Sequence, residues 1–204
     1  MKRGVVTFIM LICCVTAIGR TRDKDVPKFT FGTECSYNAT VYSHLHQYFI
    51  SPEGFREEIL DNKWKYTGDP ELTLHAGYNI NQYWNLSLFL GYTGVGDFHR
   101  ALPVSLRATR YFGDNHMTDR WFAFVDMGSG ISFKNKIGGI GFGKLGAGYR
   151  LSLSRVSKLD FLMSIRTIYT HPDIIYYGET INPDKTYRNN GLTCSLNLGI
   201  GLTF

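Results

Sequence analysis

Apolar and polar side chains alternate one for one along most of this chain. The last ten residues show it plainly. On an extended backbone Leu196, Leu198, Ile200, Leu202 and Phe204 share one side and Ser195, Asn197, Gly199, Gly201 and Thr203 the other, whereas a helix would scatter the same apolar groups round its axis. The pattern predicts strands. Eight segments carry it, at about 28–43, 71–80, 84–95, 102–112, 120–133, 140–153, 159–170 and 191–204, each closed by turn residues. Most are near the length of a tilted bilayer-crossing strand, about 9–11 residues. The connections after the second, fourth and sixth segments are short ("NQY", "GDNHMTD", "SRVSK"), while 48–70 and 171–190 are long and polar. Short turns on one side and long loops on the other is the sidedness of a membrane-spanning barrel. Within the first long loop, "PEGFREEIL" (52–60) predicts a short amphipathic helix that rests Phe55, Ile59 and Leu60 on the rim or on a partner.

The two faces decide the solvent. One runs through Leu72, Leu74, Leu86, Leu88, Leu90, Leu102, Val104, Leu106, Trp121, Val125, Leu145, Phe161 and Ile165 with hardly a charge, while the other carries Glu34, Arg107, Asp126, Lys144, Arg150, Asp160 and Arg166 among serines, asparagines and glycines. A soluble barrel would turn its charges outward. Here they are few and matched in sign, so the expectation is an all-β, closed, antiparallel up-and-down transmembrane barrel of eight strands, with the charged face walled into a narrow lumen. Hairpin register places Arg107 opposite Asp126 and Arg150 opposite Asp160. It also sets Lys144 against Arg166, which is unfavourable unless a third-strand carboxylate such as Glu34 reaches between them. If the barrel closes with Phe204 near Asp25, Cys35 falls opposite Cys194 on the lipid face, as two separate apolar thiols or as a cross-strand pair.

Composition agrees with sheet and tight corners, with 22 Gly, 13 Tyr and 14 Phe in 204 residues. Lys2 and Arg3, the apolar run Val5–Val15 and the small pair Ala17 and Gly19 read as a signal peptide over 1–19, leaving the barrel domain as 20–204. An uncleaved anchor and a lipoprotein at Cys13 or Cys14 are the weighed alternatives. Without residues 1–19 the chain has 20 basic and 17 acidic residues, too mild a balance to argue for nucleic acid. Trp64, Tyr83, Trp84, Tyr111, Trp121, Tyr169, Tyr176 and Tyr177 cluster near segment ends, where a headgroup girdle is expected.

The stretches "LHAGYNINQYWNLSLFLGYTG", "LRATRYFG" and "GKLGAGYRLSLS", with the final strand "GLTCSLNLGIGLTF", resemble small eight-stranded outer-membrane β-barrel proteins of Gram-negative, Bacteroides-type bacteria, a group mostly without assigned function. The resemblance implies a bacterial outer-membrane location, contact with membrane lipid and lipopolysaccharide, and delivery by the barrel-assembly machinery, which reads a last strand ending in an aromatic such as Phe204. It implies little about activity.

The chemical motifs are sparse. Residues 138–146, "GGIGFGKLG", match a dinucleotide fingerprint in spelling, but alternation continues where that motif needs a helix. His44 and His46 would share a strand face without a third metal ligand nearby. An acyl-chain enzyme acting on lipid A, of the kind built on this scaffold in two families, would need a His–carboxylate pair and a serine at the rim. The candidates are His99 with Asp97 and His171 with Asp173, with Ser43 or Ser51 as nucleophile. A narrow small-solute pore is the third class. The reading favoured over both is a structural or surface-interaction platform acting through loops 48–70 and 171–190, with no cofactor, no metal and an unidentified envelope or extracellular partner.

Overall fold

The computed structural model describes residues 26–94, 100–113, 115–132 and 139–204, with the backbone alone at residue 65. Its long strands are β1 (Phe29–Ile50), β2 (Arg56–Asn79), β3 (Trp84–Gly94), β4 (Arg100–Tyr111), β5 (Arg120–Ser132), β6 (Ile140–Ser152) and β7 (Lys158–Thr170). A small hairpin of β8 (Ile175–Tyr176) and β9 (Glu179–Thr180) and a 3₁₀ turn (Pro183–Lys185) precede β10 (Thr186–Thr203). The eight long strands close an antiparallel barrel, β1 to β7 in order with β10 sealing the wall between β7 and β1.

Local chemistry sets the short turns. The Asn81 side chain accepts the N–H groups of Tyr83 and Trp84, each at 2.8 Å, and Ser154 Oγ accepts those of Val156 and Ser157 at 3.2 and 2.9 Å. Such side chains supply the bonds a tight reversal needs. The β8–β9 hairpin turns on Tyr177 and Gly178, at φ 48° and 87°, the two positive values a type I′ turn demands.

The long-loop end differs from the expectation in two places. Residues 48–70 are mostly strand, because β1 and β2 run 22 and 24 residues and rise above the wall as a tall hairpin. The helix expected over 52–60 does not form. Ser51–Phe55 is a turn, with the Ser51 N–H donating to the Phe55 carbonyl at 2.8 Å and Gly54 at φ 89°, after which Arg56–Leu60 pairs with His46–Ile50. Cross-strand hydrogen bonds and packing override the helical preference of "EEIL". On the other side, β10 begins at Thr186, so the tip of β1 lies between two strands in a three-stranded extension.

The seam is a further correction. Gly32 pairs with Thr203, and the Phe31 and Phe204 backbones exchange hydrogen bonds of 3.0 and 2.7 Å, so the chain's end lies beside Phe31; Asp25, where closure was expected, lies outside the described residues. Cys35 therefore faces Ile200 and Cys194 faces Tyr42; both thiols are free, and the cross-strand pair does not exist. Polar contacts hold this register. Asn197 Nδ2 donates to Ser36 Oγ at 2.8 Å and to Asn38 Oδ1 at 2.9 Å, and Thr40 Oγ1 lies 3.1 Å from Ser195 Oγ.

Burial alternates residue by residue and is inverted relative to a soluble protein. Leu145 is 64% exposed and its neighbour Lys144 4%, and along β7 Phe161, Met163 and Ile165 face out while Asp160, Ser164 and Arg166 face in. Only a hydrocarbon surround suits such an exterior. Aromatic pairs mark its two borders: Trp121 with Tyr149 and Phe29 with Tyr78 toward the short turns, and Tyr42 with Trp64 at the base of the extension.

Candidate functional site

The lumen is filled in layers. Tyr111, Phe122, Phe124 and Leu162 form an apolar layer near the short-turn end, and Ala101, Ile140, Phe142 and Ile168 form another near the long-loop end. Tyr111 thus belongs to the interior and not to the headgroup girdle. Its parity with Arg107 and Thr109, all three buried, puts it there.

Between these layers lie Glu34, Glu71, Arg107, Asp126, Lys144 and Arg166, while Arg150 and Asp160 lie on the short-turn side of the first. Arg107 on β4 donates from Nη1 to Glu34 Oε2 at 2.6 Å across the lumen and from Nη2 to Asp126 Oδ2 at 3.1 Å, with Asp126 directly opposite on β5. Its guanidinium lies between rings, 3.9 Å from the Phe89 centroid and 4.3 Å from that of Phe124. Such stacking suits a planar, weakly hydrated cation in a dry site. Arg150 clasps Asp160 with two bonds of 2.6 Å. Lys144 and Arg166 are cross-strand neighbours, and the carboxylate that reconciles them is Glu71 on β2. Glu34, the carboxylate named for that role from the sequence, is taken by Arg107. Glu71 bonds Lys144 through Oε1 and lies 3.5 Å from Arg166 through Oε2, which also accepts Asn38 Nδ2 at 3.0 Å.

Sequence reasoning missed Glu71 and the inward Phe89. The available signal was parity, since Glu71 alternates with Leu72 and Phe89 with Leu90. All these charged groups are at least nine-tenths buried, and buried ions persist only when paired. A chamber of about 30 Å³ lies beside His75, Glu34, Asn85 and Arg150, enough for water and too small for a metabolite.

The second region is the extension. Phe49, wholly buried, packs with Ile174 and Ile181 from the segment that carries β8 and β9, against Ile59 and Tyr176. The segment is tied down by Asn189 Nδ2, which donates to the Pro172 carbonyl at 2.5 Å, and by Gln47 Nε2, which donates to Asn189 Oδ1 at 3.2 Å. The outer face is polar and aromatic. His46 Nε2 meets Glu58 Oε1 at 2.9 Å, His44 Nδ1 meets Asn62 Oδ1 at 2.5 Å, and Tyr48 and Tyr187 lie 5.2 Å apart. No group of three metal-ligating side chains occurs among the described residues.

Among the described residues, the rim candidates for acyl chemistry are not assembled. His171 Nδ1 is bonded at 2.5 Å to the Asn189 carbonyl and its ring packs on Tyr169, while Asp173 is exposed. Ser51 Oγ accepts the Phe55 N–H at 3.3 Å as a turn-forming group, and Ser43 lies on β1 opposite Lys63 and Thr193. His99 and Asp97 lie outside the described residues. Gly141, Gly143 and Gly146 lie in β6, with no helix following.

A closed sheet with hydrocarbon-compatible side chains outside and a packed ionic interior defines the class: this is a transmembrane β-barrel. No protein-family model matches the chain and no curated protein does. Among solved structures it is similar to outer membrane protein OprG from Pseudomonas aeruginosa, at 12% identity over 89% of this chain and 99% of that one, TM-score 0.47. It is also similar to Neisserial surface protein A, at 12% identity over 85% and 97%, TM-score 0.43. Outer membrane protein AlkL, solved in lipid bilayers, aligns at 12% identity over 91% and 95%, TM-score 0.47. These likenesses concern the fold alone.

Proposed function

We propose that the chain is an integral protein of the bacterial outer membrane whose lumen passes no solute and whose long-loop end serves as a structural or surface-interaction platform. The observation that carries this reading is the contrast between its two regions. The lumen spends its inward side chains on cross-wall ion pairs and ring stacking, leaving about 30 Å³ beside them. The extension, beyond any membrane requirement, builds a separate small core round Phe49 and so holds an exposed polar and aromatic face in one shape. Membrane lipid and lipopolysaccharide are its neighbours along the belt. The barrel-assembly machinery receives the last strand through Phe204, half-exposed beside Phe31. The platform's partner is an envelope or extracellular molecule, and catalysis is no part of its role.

Three measurements test this. Peptide tags inserted at Gly54 and Gly178 are expected to be reached by antibody on intact cells, and silence of both tags on intact but not lysed cells would reverse the orientation. Planar-bilayer recordings are expected to give no discrete conductance steps; reproducible steps would make the barrel a pore. Lipid A mass spectra are expected to be unchanged by the protein, and an altered acyl pattern abolished by His171→Ala would make it an enzyme.

A further inference from the structure

Among the described residues, the charges of the lumen do not cancel at its short-turn end. Glu34, Glu71, Asp126 and Asp160 are the buried carboxylates among the described residues, and each is engaged by Arg107, Lys144, Arg150 or Arg166. Two further buried cations, Arg120 at 8% exposure and Lys158 at 7%, have no carboxylate within ion-pair distance among the described residues. Both stand at the first position of a strand, β5 and β7, on either side of β6.

Their neighbours deepen the imbalance. Arg120 lies directly opposite Arg150 across the β5–β6 ladder, and both guanidiniums cover the Tyr111 ring, at 3.9 and 4.6 Å from its centroid. Like charges placed opposite one another destabilise a ladder. Asp160 offsets the charge of Arg150, but both its oxygens clasp that residue and neither bonds Arg120. Arg120 has one neutral acceptor, the Gln82 carbonyl 2.7 Å from Nη1, and its Nε is buried without any partner. Lys158 Nζ also meets only neutral oxygens, Ser152 Oγ at 2.5 Å and the Ser154 carbonyl at 2.9 Å. Asp119 on this rim is exposed and accepts the Ser152 N–H at 2.8 Å, and Asp114 of the same turn lies outside the described residues. An inward cation without a counter-charge is costly, and a guanidinium and an ammonium at the same mouth of the barrel offer the donors an oxyanion needs. Strands two apart in a wall are separated by about 10 Å, a gap that two long side chains span with one small anion between them.

We propose that the short-turn mouth is a binding site for one compact oxyanion of the phosphate class, held by Arg120 and Lys158 with Arg150 behind them. The donors face the lumen and not the lipid, so the ligand is a free anion and not the headgroup of a bilayer lipid.

The test uses the whole barrel, labelled with ¹⁵N-arginine, in uncharged micelles titrated with inorganic phosphate at constant ionic strength. The Arg120 Nε–H resonance is expected to shift along a saturable curve while those of Arg107 and Arg166 stay in place. Lys158→Gln is expected to weaken the binding by about tenfold, the loss of one charge-assisted hydrogen bond. In Arg120→Gln, confirmed as folded by its heat-modifiable mobility, the response read at Arg150 is expected to vanish. A linear, non-saturating shift, or equal affinity in Lys158→Gln, would overturn the assignment. A response that appears only in nanodiscs containing phosphatidylglycerol would overturn it too, by making the ligand a lipid headgroup.

Discussion

Arg107 donates to Glu34 at 2.6 Å although their strands, β4 and β1, stand three apart in the wall. Hydrogen bonds between adjacent strands build the cylinder and, through strand number and stagger, set its radius. Bonds that cross the lumen close it, because a guanidinium reaching a carboxylate on the far wall fills the space a channel would need.

The weight of this contact is measurable. Arg107→Gln leaves Glu34 and Asp126 buried beside a neutral amide, and the expected loss is about 3–5 kcal/mol, the cost of breaking a buried ion pair from one side. Leu106→Val, one residue along on the lipid face, is expected to stay within about 0.5 kcal/mol. Urea unfolding in phospholipid vesicles compares the two, and equal losses would deny the lumen pair its role.

Glu71 stands between two cations that are themselves cross-strand neighbours. Glu71→Gln is therefore expected to destabilise more than Lys144→Met, because it leaves Lys144 and Arg166 in open repulsion. The double variant is expected to recover about 1–3 kcal/mol against additivity. A double-mutant cycle under the same unfolding conditions reads the coupling, and additive losses would mean that the two side chains do not interact.

The seam register is open to a covalent check. Cys35 pairs with Ile200, so Ile200→Cys in a Cys194→Ala background is expected to form a disulfide with Cys35 on mild oxidation. The native thiols are expected to remain two free groups by thiol titration after the same treatment. A native Cys35–Cys194 disulfide would require a seam shifted by several residues.

The extension is expected to open independently of the barrel. Phe49→Ala removes its only wholly buried large apolar side chain among the described residues, at a local cost of about 3–5 kcal/mol. Hydrogen exchange is expected to quicken over residues 44–60 and 171–190, while β4–β7 and the unfolding midpoint of the barrel stay unchanged. Uniform quickening through β4–β7 would make the two regions a single cooperative unit.

The strands and hairpins were legible in the sequence for local reasons. A one-residue slip turns every side chain to the wrong solvent, so alternation between hydrocarbon-facing and lumen-facing positions leaves an unambiguous trace in β3–β7. Short turns then fix which residues face one another, and Arg107 with Asp126 and Arg150 with Asp160 follow from counting. Above the membrane the pattern loses force. Residues 44–67 serve neither lipid nor lumen, their alternation fades, and "PEGFREEIL" offered a helix that pairing with β1 overrode.

By itself, the sequence determined the eight strands, the sign of each face and the pairs joined by a turn, because these depend on spacing along one chain and on the contrast between oil and water. Only the tertiary structure decided the rest. The register at which β10 meets β1 has no turn to set it, so Cys35 and Cys194 part company there. The partner of a lumen charge depends on which side chains meet across the bore, and so Glu71, not Glu34, lies between Lys144 and Arg166. Closure brings distant parts of the chain to one axis, and distance along the chain carries no record of that meeting.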